Sequence, residues 1–155
     1  MLSFNVAGHQ FDLRAAAIVL REKDVLLHRL AGDSYWSLPG GRVEPGEAAQ
    51  EAVIRECAEE LGESVSCGEL VWVVENFFDG AGGKHHEIGL YFRASLPPSS
   101  RLLALNGTFF GIEGAKRLEF AWFDRGRLGD TDVRPSFLIS ALGEAELRFQ
   151  HVVQR

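Results

Sequence analysis

The sequence predicts an α/β protein built on a mixed sheet, on three observations. Segments rich in branched and aromatic residues recur along the chain between turns that carry Gly and Pro. Two helical segments interrupt them, over residues 47–61 and 134–142. One segment, Ala15-Ala16-Ala17-Ile18-Val19-Leu20, is apolar without alternation, as suits a strand covered on both faces. Strands interleaved with helices in this way build α/β or α+β layers.

Each element follows in order. Residues 2–6 and 10–20 read as strands joined at Ala7-Gly8-His9. Glu22-Lys23-Asp24 is a polar turn into a strand over 25–30. Residues 35–38 read as a short strand that stops at the breaker Pro39-Gly40-Gly41. Pro45-Gly46 precedes the first helix. Its Ala48, Ala49, Ala52 and Ala58 are strong helix formers, and Gly62 stands where a C-terminal cap belongs. Residues 70–78 and 86–96 form a hairpin, with Asp79, Gly80, Ala81, Gly82 and Gly83 as its flexible turn. Pro97-Pro98-Ser99-Ser100 is a loop. A strand follows over 119–124. The second helix has Pro135 in its first turn, and residues 147–153 close the chain as a strand. No linker divides these elements, so residues 1–155 are expected to form one domain.

Composition narrows the function classes. The hydrophobic fraction of 46% and charged fraction of 25% are those of an ordinary soluble globular chain. At 155 residues it buries enough surface for a real core. The net charge is −6, with no basic stripe of the kind that holds long nucleic acids. An acidic protein still binds a polyanion when divalent cations sit between them. Cys57 and Cys67 are too few for a disulfide framework, and no Cys/His spacing suggests zinc. The first apolar run is too short to span a membrane and lacks signal-peptide form, so the expected location is the cytoplasm.

Chemistry is concentrated between Gly41 and Glu63. At 100° per residue, Val53, Ile54, Cys57, Ala58 and Leu61 form one apolar arc of the first helix. Glu56, Glu59 and Glu60 form a separate arc beside it. Like charges one turn apart cost about 0.2–0.5 kcal/mol per pair in an isolated helix, so three anions on one patch invite a cation. Oxygen ligands of this kind suit Mg²⁺ or Mn²⁺. Taken alone, the three glutamates equally describe a solvated helix face.

The wider spacing separates the two readings. Gly41, then Glu47, then Arg55-Glu56-Cys57-Ala58-Glu59-Glu60-Leu61-Gly62-Glu63 resembles the Nudix box: glycine, five residues, glutamate, seven residues, then Arg-Glu-apolar-any-Glu-Glu-any-Gly-apolar. All seven Gly, Glu and Arg positions match. With each residue type at roughly 7%, the chance of a match at a given start is on the order of 10⁻⁸. Cys57 replaces an aliphatic residue, and Glu63 stands where an apolar one is usual. Trp36-Ser37-Leu38-Pro39-Gly40-Gly41 and Leu26-Leu27-His28-Arg29 extend the resemblance, to about residues 14–124.

The resemblance to the Nudix (MutT-like) hydrolase family implies the Nudix fold, an α/β/α sandwich around a central mixed sheet. It implies metal ligation by Glu56, Glu59 and Glu60 with the Gly40 carbonyl, and pairing of Arg55 with Glu47. Mg²⁺ is the implied cofactor, with Mn²⁺ as a substitute. The implied reaction is attack of water on phosphorus in a nucleoside diphosphate-X compound, giving a nucleoside monophosphate. The X part leaves phosphorylated, or as pyrophosphate from a triphosphate. The proton acceptor is left open among Glu56, Glu60, Glu119 and Glu113. Arg29, Arg42, Trp36 and Phe78 are candidates for contacting the nucleotide, with core packing an equal reading for the two aromatics. His85 and His86 are adjacent strand residues and so face opposite ways, which argues against a metal pair. The partner expected is a small nucleotide, with homodimer formation open. A non-catalytic nucleotide sensor, or an interaction domain with an acidic helix, are the competing readings.

Overall fold

The computed structural model describes residues 1–155, apart from the side chains of Ile112 and Glu113. Nine strands form one sheet. They are β1 (Ser3–Val6), β2 (His9–Arg21), β3 (Asp24–Leu30), β4 (Gly40–Arg42), β5 (Ser66–Gly80), β6 (Gly83–Ser95), β7 (Phe109–Glu113), β8 (Lys116–Asp124) and β9 (Gln150–Gln154). The order is β7-β8-β3-β2-β6-β5-β9, with β1 and β4 also paired to β2. β2 runs parallel to β6, and β5 parallel to β9, while the other pairs are antiparallel. The sheet is therefore mixed, as the sequence predicts.

Two helices cover its faces. Helix α1 (Ala49–Leu61) lies on one side, where Ala52, Val53 and Cys57 pack with Ala15, Ala17, Val19 and Phe120. Helix α2 (Phe137–Gly143) lies on the other, where Leu138, Ala141 and Leu142 pack with Ala16, Ile18, Trp72 and Tyr91. Alternate residues of the β2 alanine run thus feed two cores, which explains why that strand is apolar throughout. No helix among the described residues is long and apolar enough to cross a membrane.

Several boundaries differ from the sequence reading. Residues 35–38 form no strand. Trp36 and Ser37 each make one isolated bridge, to Val133 and His28 respectively, so no continuous ladder develops. The breaker at Pro39-Gly40-Gly41 is instead where β4 begins, paired through Gly40 to Ala16. A β-carbon on Gly40 would stand 2.2 Å from the Ala15 carbonyl oxygen, so glycine is what lets the two backbones meet. Helix α1 starts at Ala49 rather than at residue 47, because the Glu51 carboxylate accepts the Ala48 N–H at 2.8 Å and fixes the first turn there. Pro135 precedes α2 instead of lying in its first turn. Strand β7, absent from the sequence reading, pairs with β8 and closes the edge.

Gly111 of β7 sets the fit between that edge and the end of α1. A β-carbon there would fall 2.1 Å from the Glu60 carbonyl oxygen and 2.7 Å from the Phe120 ring. Gly111→Ala is therefore expected to lower stability by about 1–3 kcal/mol, because backbone must yield to make room. Urea denaturation followed by circular dichroism measures this, and an unchanged midpoint would refute it.

Candidate active site

Burial rotates α1 differently from the simple apolar arc. Ala52, Val53, Cys57 and Glu60 face inward, whereas Ile54 and Ala58 are exposed. The small side chains of β2 draw the Ala52/Val53/Cys57 stripe against the sheet, and Glu60 is carried in with it. Glu60 is only 4% exposed. Its two carboxylate oxygens are buried and make no hydrogen bond among the described residues. The His28 imidazole approaches it, with Nδ1 3.3 Å from Oε2 but without hydrogen-bond geometry. A buried carboxylate left in this condition is costly.

Glu56 lies one turn back and is half-buried. Burial pushes its carboxyl above the usual range, a fork nitrogen of Arg55 opposes that, and the Glu60 charge adds to the rise. A β-carbon on Gly41 would come within 2.3 Å of the Glu56 carboxyl, so this glycine of the motif is the space Glu56 occupies. Glu59 turns outward, with its side chain 60% exposed and its carboxylate 3.5 Å from Arg55. The three glutamates therefore do not converge equally. No group of three or more His, Cys, Asp or Glu among the described residues is gathered closely enough to hold an ion by itself.

Arg55 ties the approach loop to the helix. Its Nε and Nη2 donate to the two oxygens of Glu47 at 2.7 and 3.0 Å, and its Nη1 donates to Glu56 at 2.7 Å. Nη2 also reaches the Arg42 carbonyl at 3.1 Å. This is the bidentate pair that the family resemblance implies, while the Glu51 carboxylate is spent on the Ala48 N–H. The fork raises the Arg55 pKa further above its already high ordinary value.

Beside these residues opens a cleft of about 720 Å³. Arg29, Gly40 and Phe78, all expected at the site, line it. Phe78 is 42% exposed and stacks on His85 with ring centroids 4.7 Å apart. Arg29 pairs with Glu119 at 2.7 Å and lies over the Trp36 ring at 4.4 Å. Trp36 itself is core, 8% exposed and edge-on to Phe123. Arg42 points elsewhere, to Asp12 at 3.0 Å. Glu119 meets Arg29 through Oε2 alone, which leaves its other oxygen unengaged among the described residues. The Glu113 side chain lies outside the described residues. His85 and His86 face opposite ways, His85 onto Phe78 and His86 onto Phe77.

The cleft also holds residues the sequence reading passed over: Arg14, His28, Asn76, Glu87 and Tyr91. Arg14 donates to the Leu38 carbonyl at 3.3 Å. Burial disfavours its charge, but Glu87, Tyr91, Glu60 and Glu56 outweigh this and raise its pKa. Burial, with the Glu87 charge, also raises the Tyr91 phenol. Charged residues within otherwise apolar strands were the available signal: Arg14 heads the alanine run, and Glu87 precedes Ile88.

The Glu47 pair has a definite pH signature. The Arg55 fork chiefly, with the Glu44 N–H, holds the Glu47 carboxyl below the usual carboxylate range. A depressed carboxyl stabilises the fold above its unfolded value of about 4.3, and that stability is lost as pH falls through the folded value. Glu47→Gln is expected to melt lower than wild type at pH 7, with the gap closing below about pH 4. A gap independent of pH in thermal melts would contradict the pairing.

The NUDIX domain family model matches residues 11–137. A protein of Bacillus subtilis (strain 168) provisionally named as an 8-oxo-dGTP diphosphatase is 31% identical over 117 residues, covering 74% of this chain and 67% of that protein. Nucleoside triphosphatase NudI of Salmonella arizonae is 33% identical over 96 residues, 57% of this chain and 67% of its own. Among solved structures, a MutT protein from Methanosarcina mazei Go1 superposes with a TM-score of 0.64 at 22% identity, covering 89% of this chain and 96% of that one. The match of the family model over most of the chain, together with this shared architecture, establishes that the chain belongs to the Nudix family and is a Nudix hydrolase.

Proposed function

We propose that the protein cleaves the diphosphate linkage of a nucleoside diphosphate-X compound, a nucleoside triphosphate or nucleotide-sugar type, releasing a nucleoside monophosphate with the help of Mg²⁺ or Mn²⁺. The observation that carries this reading is the buried, unpartnered Glu60 carboxylate one turn from Glu56, next to a cleft of about 720 Å³. An orphaned buried anion fits a cation. Glu56 and Glu60 would hold it, with Glu59 and the Gly40 carbonyl completing the set. A bound divalent cation supplies acidified water and neutralises charge developing on phosphoryl oxygens.

The chain's own residues divide the remaining work. The Arg55–Glu47 fork keeps Glu56 aimed from the helix toward the loop at Gly41. Arg14 and Arg29 line the cleft and offer guanidinium groups to phosphate oxygens. Glu56 and Glu60 are candidates for accepting the proton of the attacking water, with Glu119 of β8 a third. Because its metal-free side chain lies outward, Glu59 would have to swing in on binding. A cytoplasmic location belongs to the same reading.

Glu60→Gln keeps the shape and removes the buried charge. Monophosphate release with Mg²⁺ is expected to fall at least about a hundredfold, while the metal-free melting temperature holds or rises. Chromatographic assay across nucleoside triphosphates and nucleotide sugars measures it. No cleavage by the metal-loaded wild type across that panel would sink the proposal. Nucleotide binding without turnover, indifferent to Glu59 and Glu60, would favour a sensor instead.

A further inference from the structure

We propose that Asn76 and Glu87 read the Watson–Crick edge of a guanine ring, Asn76 donating to the ring carbonyl and Glu87 accepting from the ring N–H and the exocyclic amine. The proposal rests on the reading that a nucleotide occupies the cleft, and it names the base.

Asn76 is 8% exposed, lines the cleft, and its side chain makes no hydrogen bond among the described residues. Its amide atoms are absent from those sealed off from solvent, so the group opens onto the cleft. A nearly buried amide without a protein partner is what a polar ligand satisfies. Glu87 lines the same cleft and likewise makes no hydrogen bond or ion pair among the described residues. The two are directly opposite on β5 and β6. Cross-strand partners on one face hold their β-carbons about 4.5–5.5 Å apart, so amide and carboxylate present one continuous row. Arg14 lies near enough for the Glu87 charge to bear on it, and it keeps its own contact with the Leu38 carbonyl. Phe78, two residues along β5 and on the same face, offers an aromatic surface at the cleft.

The row selects by hydrogen-bond pattern. A carboxylate is acceptor-only, with two adjacent oxygens, and an amide nitrogen is a donor. The complement is acceptor, donor, donor, the edge of guanine. Cytosine offers donor, acceptor, acceptor; uracil and thymine offer acceptor, donor, acceptor; adenine offers one donor beside an acceptor. Each of these sets a ring acceptor against a carboxylate oxygen or leaves that oxygen dry, which a buried site penalises.

Equilibrium binding of nucleoside monophosphates without metal tests this apart from turnover. Isothermal titration with GMP, IMP, CMP, UMP and AMP is expected to rank GMP first. IMP, which lacks only the exocyclic amine, is expected to bind about tenfold more weakly. Glu87→Gln is expected to shrink the GMP-over-IMP difference and to strengthen AMP binding, because the amide brings a donor to the ring acceptor that the carboxylate repels. Asn76→Asp is expected to weaken GMP, by placing an acceptor against the ring carbonyl. Equal GMP and IMP affinity in the wild type, or another base bound best, overturns the proposal without any variant needing to fold. Absence of binding by all five overturns it too. A protein that prefers GMP yet hydrolyses nothing would defeat the hydrolase reading alone.

Discussion

Everything at the site depends on how closely other backbone can approach β2. This strand is hydrogen-bonded to β1, β3, β4 and β6, more neighbours than a straight ribbon can hold at once. It meets them in succession along thirteen residues, and the alanines at its centre make this possible. Ala15, Ala16 and Ala17 are at most 1% exposed. Larger side chains there would push α1 off one face and the loop 36–40 off the other. The close passage of Gly40 over Ala15 brings the glycine turn, the helix and the cleft to one point.

That geometry has an electrostatic consequence. A helix pressed against alanines buries its fourth inward position, Glu60, and leaves a carboxylate with no hydrogen bond. Glu56 shares part of this burden, since burial outweighs Arg55 at its carboxyl. The fold meets the cost with rigidity nearby. Arg55 is held by two oxygens of Glu47 and one of Glu56, and its Nη2 also donates to the Arg42 carbonyl of β4. The fork secures the frame while the buried anion stays uncompensated.

Much of this was legible in the sequence, and the limits have physical causes. Gly62 marks the C-cap by local geometry alone, whereas the Arg55–Glu47 fork was legible only through the family resemblance that Gly41, Glu47 and Arg55 carry. The rotation of α1 was misjudged at Ile54 and Ala58, since helical periodicity does not say which neighbour is smallest. Residues 35–38 look like a strand by composition, yet their partners lie on different segments, which only the tertiary arrangement decides. Trp36 and Arg42 turned out to be engaged with the protein itself, whereas Arg29 and Phe78 do line the cleft. Nothing local marks Asn76, and for Glu87 the one signal is a charge beside the apolar Ile88. They matter only when β5 and β6 lie side by side.

Chemistry and recognition therefore sit on different elements. The carboxylates come from α1, which packs on one face of β2, and the motif spacing constrains them tightly. The floor of the cleft comes from the opposite face, through Arg14, Asn76 and Glu87, where the motif imposes nothing. A change at positions 76 or 87 alters the pattern of donors and acceptors without moving the Arg55 fork or the burial of Glu60. Conversely, the helix can be read with certainty while the base remains unspecified by it. In this chain the carboxylate cluster is set by the packing of α1 on β2, whereas the opposite face of the sheet leaves Asn76 and Glu87 unpaired at the cleft.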